Sequence, residues 1–328
     1  MASSRPGGGG GAGMSKVRFR TCLRNTIYDA LRSRPGWTET DSDVDFDFVW
    51  ADVPWMRENF DGLHLKEHQR VNHFRNHYEL TRKDLMVKNL KRITKQMVRE
   101  DKQAEAKEMD FFPLTFILPS EYHMFVEEFK RAPHTWIAKP IGKAQGRGIF
   151  LFNELKDVKE WKKALDTRGA KKEEDDVEVY VAQRYIENPY LIGGKKFDLR
   201  IYALVTSYTP LTVWLYRSGF ARFSSGRFSM EKGDISNTYV HLTNVAIQKT
   251  AANYDKEQGC KWDLAAMKLF MMSKHGPEAI NAMMYGMELI IIRSLQSVQK
   301  VMMNDRHCFE LYGYDIMIDD ALKPWLIE

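Results

Sequence analysis

The stretch CFELYGYDIMIDDALKPWLIE, Cys308 to Glu328, sets the reading of the whole chain. It divides into two apolar segments, FELYGYDIMI and PWLIE, separated by the polar turn Asp319 to Lys323, which is the pattern of a β-hairpin. With Asp319 facing Pro324 across that turn, antiparallel pairing sets Asp315 opposite Glu328, and residues directly across a ladder share one face of the sheet. Two carboxylates then meet among the apolar neighbours Ile316, Ile318, Leu326 and Ile327. Burying such a pair is costly unless a cation neutralises it. A hard, oxygen-seeking ion such as Mg²⁺, held by one or two carboxylates and the phosphates of a nucleotide, suits the pair. Solvated strand ends are the plainer alternative.

Composition bounds what surrounds this hairpin. At 328 residues the chain can bury a large core and form more than one lobe. Its 44% hydrophobic and 12% aromatic content excludes wholesale disorder. The 49 basic residues exceed the 44 acidic ones by five, a mild excess that favours an acidic partner over general nucleic-acid binding. The scattered Cys22, Cys260 and Cys308 suggest neither a disulfide framework nor a zinc site, so a reducing, intracellular compartment is expected. The Gly7 to Gly11 run lacks an apolar core and is no signal peptide. The greasiest segment, MELIIIRSL from Met287, is short and carries Arg293, so no membrane span is expected.

The expected architecture is α/β (α+β), with a disordered tail over residues 1–15 and lobes over 16–110, 111–190 and 191–328. In the first lobe, DSDVDFDFVW (Asp41 to Trp50) alternates acid and aromatic like an exposed-face strand. A helix follows from near Thr81, with Met86, Leu90, Ile93 and Met97 on one side and Lys88, Lys91, Arg92, Lys95 and Arg99 largely on the other. That basic stripe is either a solvated face or a dock for an acidic partner. The second lobe opens with the strand LTFIL, then a helix that Ser120 can cap, then TWIAKPIGKAQGRGIFLF as strand, glycine loop and strand. A helical piece DVKEWKKAL, a charged surface run over residues 167–178 and the strand EVYVAQRYI complete it. The third lobe holds the strand KKFDLRIYALVTS, a partner TVWLYRSGFARFS turning around Ser218 and Gly219, and two helices whose Met and Ile stripes read as core.

Three sets of residues carry chemistry. Lys139 ends a buried strand, and the turn with Gly142, Gly146 and Gly148 lets backbone N–H groups approach phosphate oxygens. Two strands flank the turn, so it is neither a Walker loop nor a dinucleotide fingerprint, and a plain glycine hairpin is the competing interpretation. Lys196, Asp198 and Arg200 alternate along an otherwise apolar strand and cannot enter a dry core without partners. They line a ligand site or form a salt-bridge ladder. Arg222, His241, Thr243 and Asn244 extend this polar inventory, His241 being equally readable as a core residue. No nucleophile with an adjacent base is recognisable. Phosphate-binding cations beside metal-binding carboxylates match phosphoryl transfer, where positioning and charge neutralisation do most of the catalysis.

With NHFRNHYELTRKDLM, WIAKPIGKAQGRGIFLF, GGKKFDLRIYALV, HLTNVAIQK and YGYDIMIDDALKPWLIE in this order, the chain resembles the tubulin-tyrosine-ligase-like family of ATP-grasp ligases over residues from about 45 to 328. The wording is most similar to the tubulin polyglutamylases of cilia and flagella. The resemblance implies a small N-terminal lobe and two ATP-grasp lobes around a nucleotide cleft. It implies ATP phosphates on Lys139 and the turn Gln145, Gly146, Arg147 and Gly148. Adenine would lie along Gln183, Arg184, Tyr185 and Ile186, and ribose and phosphates along Lys196, Phe197 and Asp198, bordered by Thr243 and Asn244. Arg222 and Lys261 would bind free L-glutamate, with Arg200 in the catalytic cluster. Lys83 would lie in the cleft, and Asp315 and Glu328 would hold Mg²⁺. The implied partner is the acidic tubulin tail met by the basic helix, with room for accessory subunits and no role for nucleic acid or membrane. The implied setting is the cytoplasm and cytoskeleton, at ciliary basal bodies and axonemes. The alternatives are a glycylase, another protein-glutamate ligase, or a catalytically impaired microtubule-binding form. The family motif continues past the glutamate to a further metal-ligating asparagine, whereas this sequence stops at Glu328. The expectation is therefore a C-terminally truncated form with a weak metal site and little or no activity.

Overall fold

The structure, a computed structural model, describes residues 16–158, 179–252, 254 and 259–328. The expected tail over residues 1–15, the charged run over 167–178 and all but the start of DVKEWKKAL lie outside the described residues. The chain is a mixed α/β protein that divides into two compact units, one of residues 1–76 with 303–310, the other of 77–302 with 311–328.

In the first unit, strands β1 (Val17–Thr21), β2 (Trp37–Glu39), β3 (Phe48–Trp50) and β4 (Arg70–Asn72) run parallel in the order β2-β1-β3-β4. Phe19, Val49 and Val71 are buried among them, as expected for a sheet covered on both faces. The acid-aromatic alternation yields only the three-residue strand β3. Ahead of it Asp43, Asp45 and Asp47 lie outside the ladder and pair with Arg20 and Arg18, Asp43 and Asp45 with exposed side chains.

The second unit carries the residues of interest. Its four-stranded sheet consists of β5 (Thr115–Leu118), β6 (Trp136–Pro140), β7 (Phe150–Phe152) and β8 (Tyr180–Arg184) in the antiparallel order β5-β8-β6-β7. The helix Tyr122–Arg131 sets Phe125 against Trp136, ring centroids 5.1 Å apart at 89°. Ser120 does not cap this helix. Its hydroxyl donates back to the Ile117 carbonyl, and the Glu121 side chain accepts the Ile117 N–H.

A second antiparallel sheet contains β9 (Leu191–Ile192), β10 (Lys195–Tyr208), β11 (Leu211–Phe223), β12 (Lys261–Asp263), β13 (Cys308–Ile318, from Leu311 onward in this unit) and β14 (Pro324–Leu326). The β10–β11 hairpin turns at Thr209 and Pro210, not at Ser218 and Gly219. Gly219 lies mid-strand opposite Ile201, and a Cβ there would stand 2.6 Å from the Arg200 carbonyl. The glycine serves close strand packing, which a sequence-level turn signal cannot distinguish from a turn. The helices Leu264–His275 and Pro277–Gln299 bury Met267, Met271, Met283 and Met287, so the methionine stripe is core. Among the described residues no helix is long and apolar enough to cross a membrane.

The basic helix spans Lys83–Arg99. Lys91 is held by Glu121 at 2.9 Å, and Arg92 donates to the Ser297 carbonyl at 2.7 Å. Lys88, Arg92, Lys95 and Arg99 of the stripe remain exposed, and Lys91 is half-buried.

Candidate active site

The closing hairpin forms with a one-residue difference from its expected register. Asp319 pairs with Lys323 around a three-residue loop in which Leu322 has φ +63°, and the ladder continues Ile318 to Pro324 and Ile316 to Leu326. The Asp319 carboxylate fixes the short loop by accepting the N–H groups of Ala321 and Lys323 and the Trp325 indole N–H. Regular pairing would then leave Glu328 out of step with Asp315. A bulge restores the match. Ile327 and Glu328 both donate their N–H to the Asp315 carbonyl, at 2.8 and 3.4 Å, and the Asp315 N–H donates to the Glu328 carbonyl at 2.8 Å. Two residues oppose one. Both acids therefore line a single cleft, though not through the simple pairing expected.

That cleft lies between the two sheets of the second unit. Of the expected residues, Lys139, Gln183, Arg184, Tyr185, Ile186, Lys196, Asp198, Thr243, Asn244, Asp315 and Glu328 all line it. Their spacing in the chain reaches from β6 to the C-terminal hairpin, and only the folded sheets bring them together. Ile137, Ile149, Leu242 and Met317 supply apolar wall that the sequence reading missed, although Ile137 stands two residues before Lys139 and Met317 two after Asp315, each on the same strand face.

The two cleft lysines are fully buried and hydrogen-bonded only to neutral oxygens. Lys139 donates to Gln183 Oε1 at 2.7 Å, and Gln183 is itself held by a bond from its Nε2 to Thr115 Oγ1 at 3.0 Å. Lys196 donates to Tyr185 Oη at 2.8 Å and to the His241 carbonyl at 2.7 Å. Among the described residues neither lysine has a carboxylate in contact. Burial accordingly pulls Lys139 down to about 8 and Lys196 down to about 7 from 10.5.

The arginines behave differently. Arg222 Nε donates to Asp198 Oδ1 at 2.8 Å with a second bond to Oδ2, and its Nη2 lies 2.7 Å from Asp315 Oδ2. Arg200 grips Asp315 through Nε at 2.5 Å and Nη2 at 3.1 Å. It passes over Gly313, where a Cβ would come within 3.2 Å of its Nη1. Burial opposes the Arg222 charge, but the hydrogen bonds and charges of Asp198 and Asp315 outweigh it and raise its pKa. The salt-bridge ladder posed as one alternative is thus present, and Lys196 and Asp198 of the same strand face line the cleft.

The remaining candidates sit around this centre. Lys83 is buried and reaches Glu328 Oε1 at 2.8 Å and the Lys143 carbonyl at 3.2 Å. Gln145, Arg147 and Gly148 do not line the cleft; Gln145 and Arg147 are exposed. Gly146, at φ +80°, meets the cleft residue Asn244, since a Cβ there would stand 2.9 Å from Asn244 Oδ1. Phe197 does not line it either. Its side chain packs against Phe223 and Tyr190, because odd positions of β10 face away from Lys196 and Asp198. Lys261 is exposed on β12 directly across from Arg222, its ammonium 4.4 Å from the Phe220 ring.

Chemically, the cleft offers buried ammonium groups held by neutral oxygens, the hard carboxylate oxygens of Asp315 and Glu328, which are ion-paired with Arg200, Arg222 and Lys83, and an apolar wall beside them. The model of the tubulin-tyrosine ligase family matches residues 63–328. "Probable tubulin polyglutamylase TTLL9" of Bos taurus is 55% identical over 340 residues, covering 96% of this chain and 73% of that protein. "Probable tubulin polyglutamylase ttll-9" of Caenorhabditis elegans is 48% identical over 315 residues, covering 95% and 73%. "Probable alpha-tubulin polyglutamylase Ttll1" of Tetrahymena thermophila is 44% identical over 326 residues, covering 95% and 79%.

Proposed function

The chain belongs to the tubulin-tyrosine ligase family, and from that premise we propose that it is a tubulin polyglutamylase, an ATP-dependent ligase that joins glutamate to γ-carboxyl groups in tubulin C-terminal tails. The observation that carries the nucleotide part of this reading is the pair Lys139 and Lys196, two buried ammonium groups in one cleft without a carboxylate partner among the described residues. A polyphosphate would supply the missing charge and restore both to full protonation.

In this reading residues 111–190 and 191–328 form the ATP-grasp lobes and 16–110 the smaller lobe. The adenine lies against Ile137, Leu242 and Met317 beside the strand end Gln183–Ile186, and the phosphates reach Lys139 and Lys196, with Asp198 at the ribose. The turn Gln145–Gly148 closes from the side of Asn244. Asp315 and Glu328 would hold Mg²⁺, which when bound neutralises charge on the phosphates. An acceptor γ-carboxylate oxygen attacks the γ-phosphorus, the bond to ADP breaks, and an acyl phosphate results. The amine of free glutamate then attacks the acyl carbon, phosphate leaves, and the nitrogen loses a proton to give an isopeptide. Arg200, Arg222 and Lys261, neighbours on one sheet face, form the cationic edge suited to the carboxylates of the incoming glutamate. Work on microtubule tails places the protein at the cytoskeleton, with cilia and flagella as the proposed setting and accessory subunits as further partners.

The test is incorporation of labelled glutamate or glycine into α- and β-tubulin tail peptides with Mg-ATP. Glutamate incorporation that needs ATP and disappears in Lys139→Met is the expected result. Glycine in place of glutamate would identify a glycylase. Tail binding without incorporation of either would identify a non-catalytic tail binder.

A further inference from the structure

His241 is buried, and both of its ring nitrogens are hydrogen-bonded. Its Nε2 lies 3.0 Å from the Asp234 carbonyl, which can only accept, so Nε2 carries the proton. Its Nδ1 lies 3.0 Å from Tyr185 Oη. In a neutral imidazole Nδ1 then presents a lone pair, and the Tyr185 hydroxyl must donate to it. The Tyr185 oxygen is left to accept from Lys196 Nζ at 2.8 Å. Only one assignment of protons satisfies all four groups. It requires neutral His241, and burial, with Lys196 beside it, lowers that group to about 4. Packing holds the same geometry. The Lys196 ammonium stands 4.4 Å over the Tyr185 ring, and His241 meets the rings of Tyr185 and Phe228 edge-on at 83° and 86°.

We propose that His241, acting through Tyr185, is a positioning residue that aims the Lys196 ammonium into the cleft for an anionic phosphate ligand. An ammonium has three N–H bonds. Two are committed, to Tyr185 Oη and to the His241 carbonyl, and the third is claimed by none of the described residues while Lys196 lines the cleft. Both committed acceptors depend on His241, one through its main chain and one through its ring. A flexible four-carbon side chain is thereby held in one orientation before the ligand arrives, which removes an ordering cost from binding. The role rests on the nucleotide-cleft reading above.

The experiment uses amide side chains that each mimic the hydrogen bond of one ring nitrogen. In His241→Asn the amide oxygen stands near the place of Nδ1 and can accept from Tyr185. In His241→Gln the amide reaches the place of Nε2 and can keep only the Asp234 contact. Mg-ATP affinity is measured by calorimetry on the full chain, with melting temperature of the ligand-free protein alongside. His241→Gln and Tyr185→Phe are expected to bind Mg-ATP about tenfold more weakly, and His241→Asn to recover most of that loss. Recovery by Gln and not by Asn, or equal affinity in all three, overturns the proposal, because it would reduce His241 to an anchor for the Asp234 loop or to inert filling. Lys196→Met separates the two levels. If it leaves Mg-ATP affinity unchanged, the nucleotide reading of the cleft itself fails.

Discussion

The cleft around Lys139 and Lys196 and the ion-pair network beside it around Arg200 and Arg222 are both rich in buried cations, yet they are neutralised in opposite ways. The arginines meet the chain's own carboxylates: Arg222 with Asp198 and Asp315, Arg200 with Asp315. The lysines meet a side-chain amide, a phenol and main-chain carbonyls. One region is neutralised by the chain's own acids, and in the proposed reading the other is neutralised by a bound anion. The difference separates cations paired with carboxylates from cations held by neutral oxygens in a way that residue type does not.

The largest effect expected from this contrast is on stability. Arg222→Met removes the partner shared by two buried aspartates and should cost about 3–5 kcal/mol, because an uncompensated buried charge remains. Lys139→Met replaces a desolvated ammonium by an apolar chain of similar length and should leave the ligand-free protein as stable as before, or more so. Urea unfolding of the two variants checks this. Equal destabilisation would erase the distinction.

A smaller effect should appear with pH. An unfolded lysine keeps its proton up to about 10.5, whereas in the folded chain Lys196 and Lys139 release theirs near 7 and 8. Between those values the unfolded state binds more protons, so the stability of the ligand-free protein rises with pH. The slope is at most about 1.4 kcal/mol per pH unit for each lysine. Urea midpoints from pH 7 to pH 10 should rise less in Lys139→Met than in the wild type. An identical rise would mean that Lys139 is charged and solvated like a surface lysine.

The smallest effect sharpens the boundary between the regions. Lys83 and Glu328 form an ion pair like those of the network, but the Glu328 side chain is 42% exposed. Glu328→Gln should therefore shift unfolding by no more than about 1 kcal/mol, while abolishing ligation if the carboxylate holds Mg²⁺. A loss as large as that of Arg222→Met would place Glu328 with the buried ion pairs.

Much of this was legible before folding. The glycine hairpin after Lys139, the alternation of Lys196, Asp198 and Arg200, and the acids of the last hairpin are local patterns, and local patterns follow from backbone periodicity. The errors also share a cause. The turn assigned to Ser218 and Gly219, the cap assigned to Ser120 and the register that set Asp319 against Pro324 each depended on which hydrogen-bond partner a residue finds. Competing partners offer similar local signals. Asp319 could close a longer or a shorter loop, and its bond to the Trp325 indole belongs to the shorter one.

What the sequence determined by itself is the list of chemically committed residues and the strands that carry them, since a charged side chain within an apolar strand must find a partner wherever the strand goes. What only the tertiary structure decided is which partner each one found. Asp198 and Arg222 are 24 residues apart, Lys139 and Gln183 are 44, and Arg200 and Asp315 are 115. Burial makes each of these pairings strong, but its choice depends on sheet order and on one bulge at Ile327 and Glu328. Those features come from long-range ladder bonds, and no short window of sequence contains both ends of such a bond.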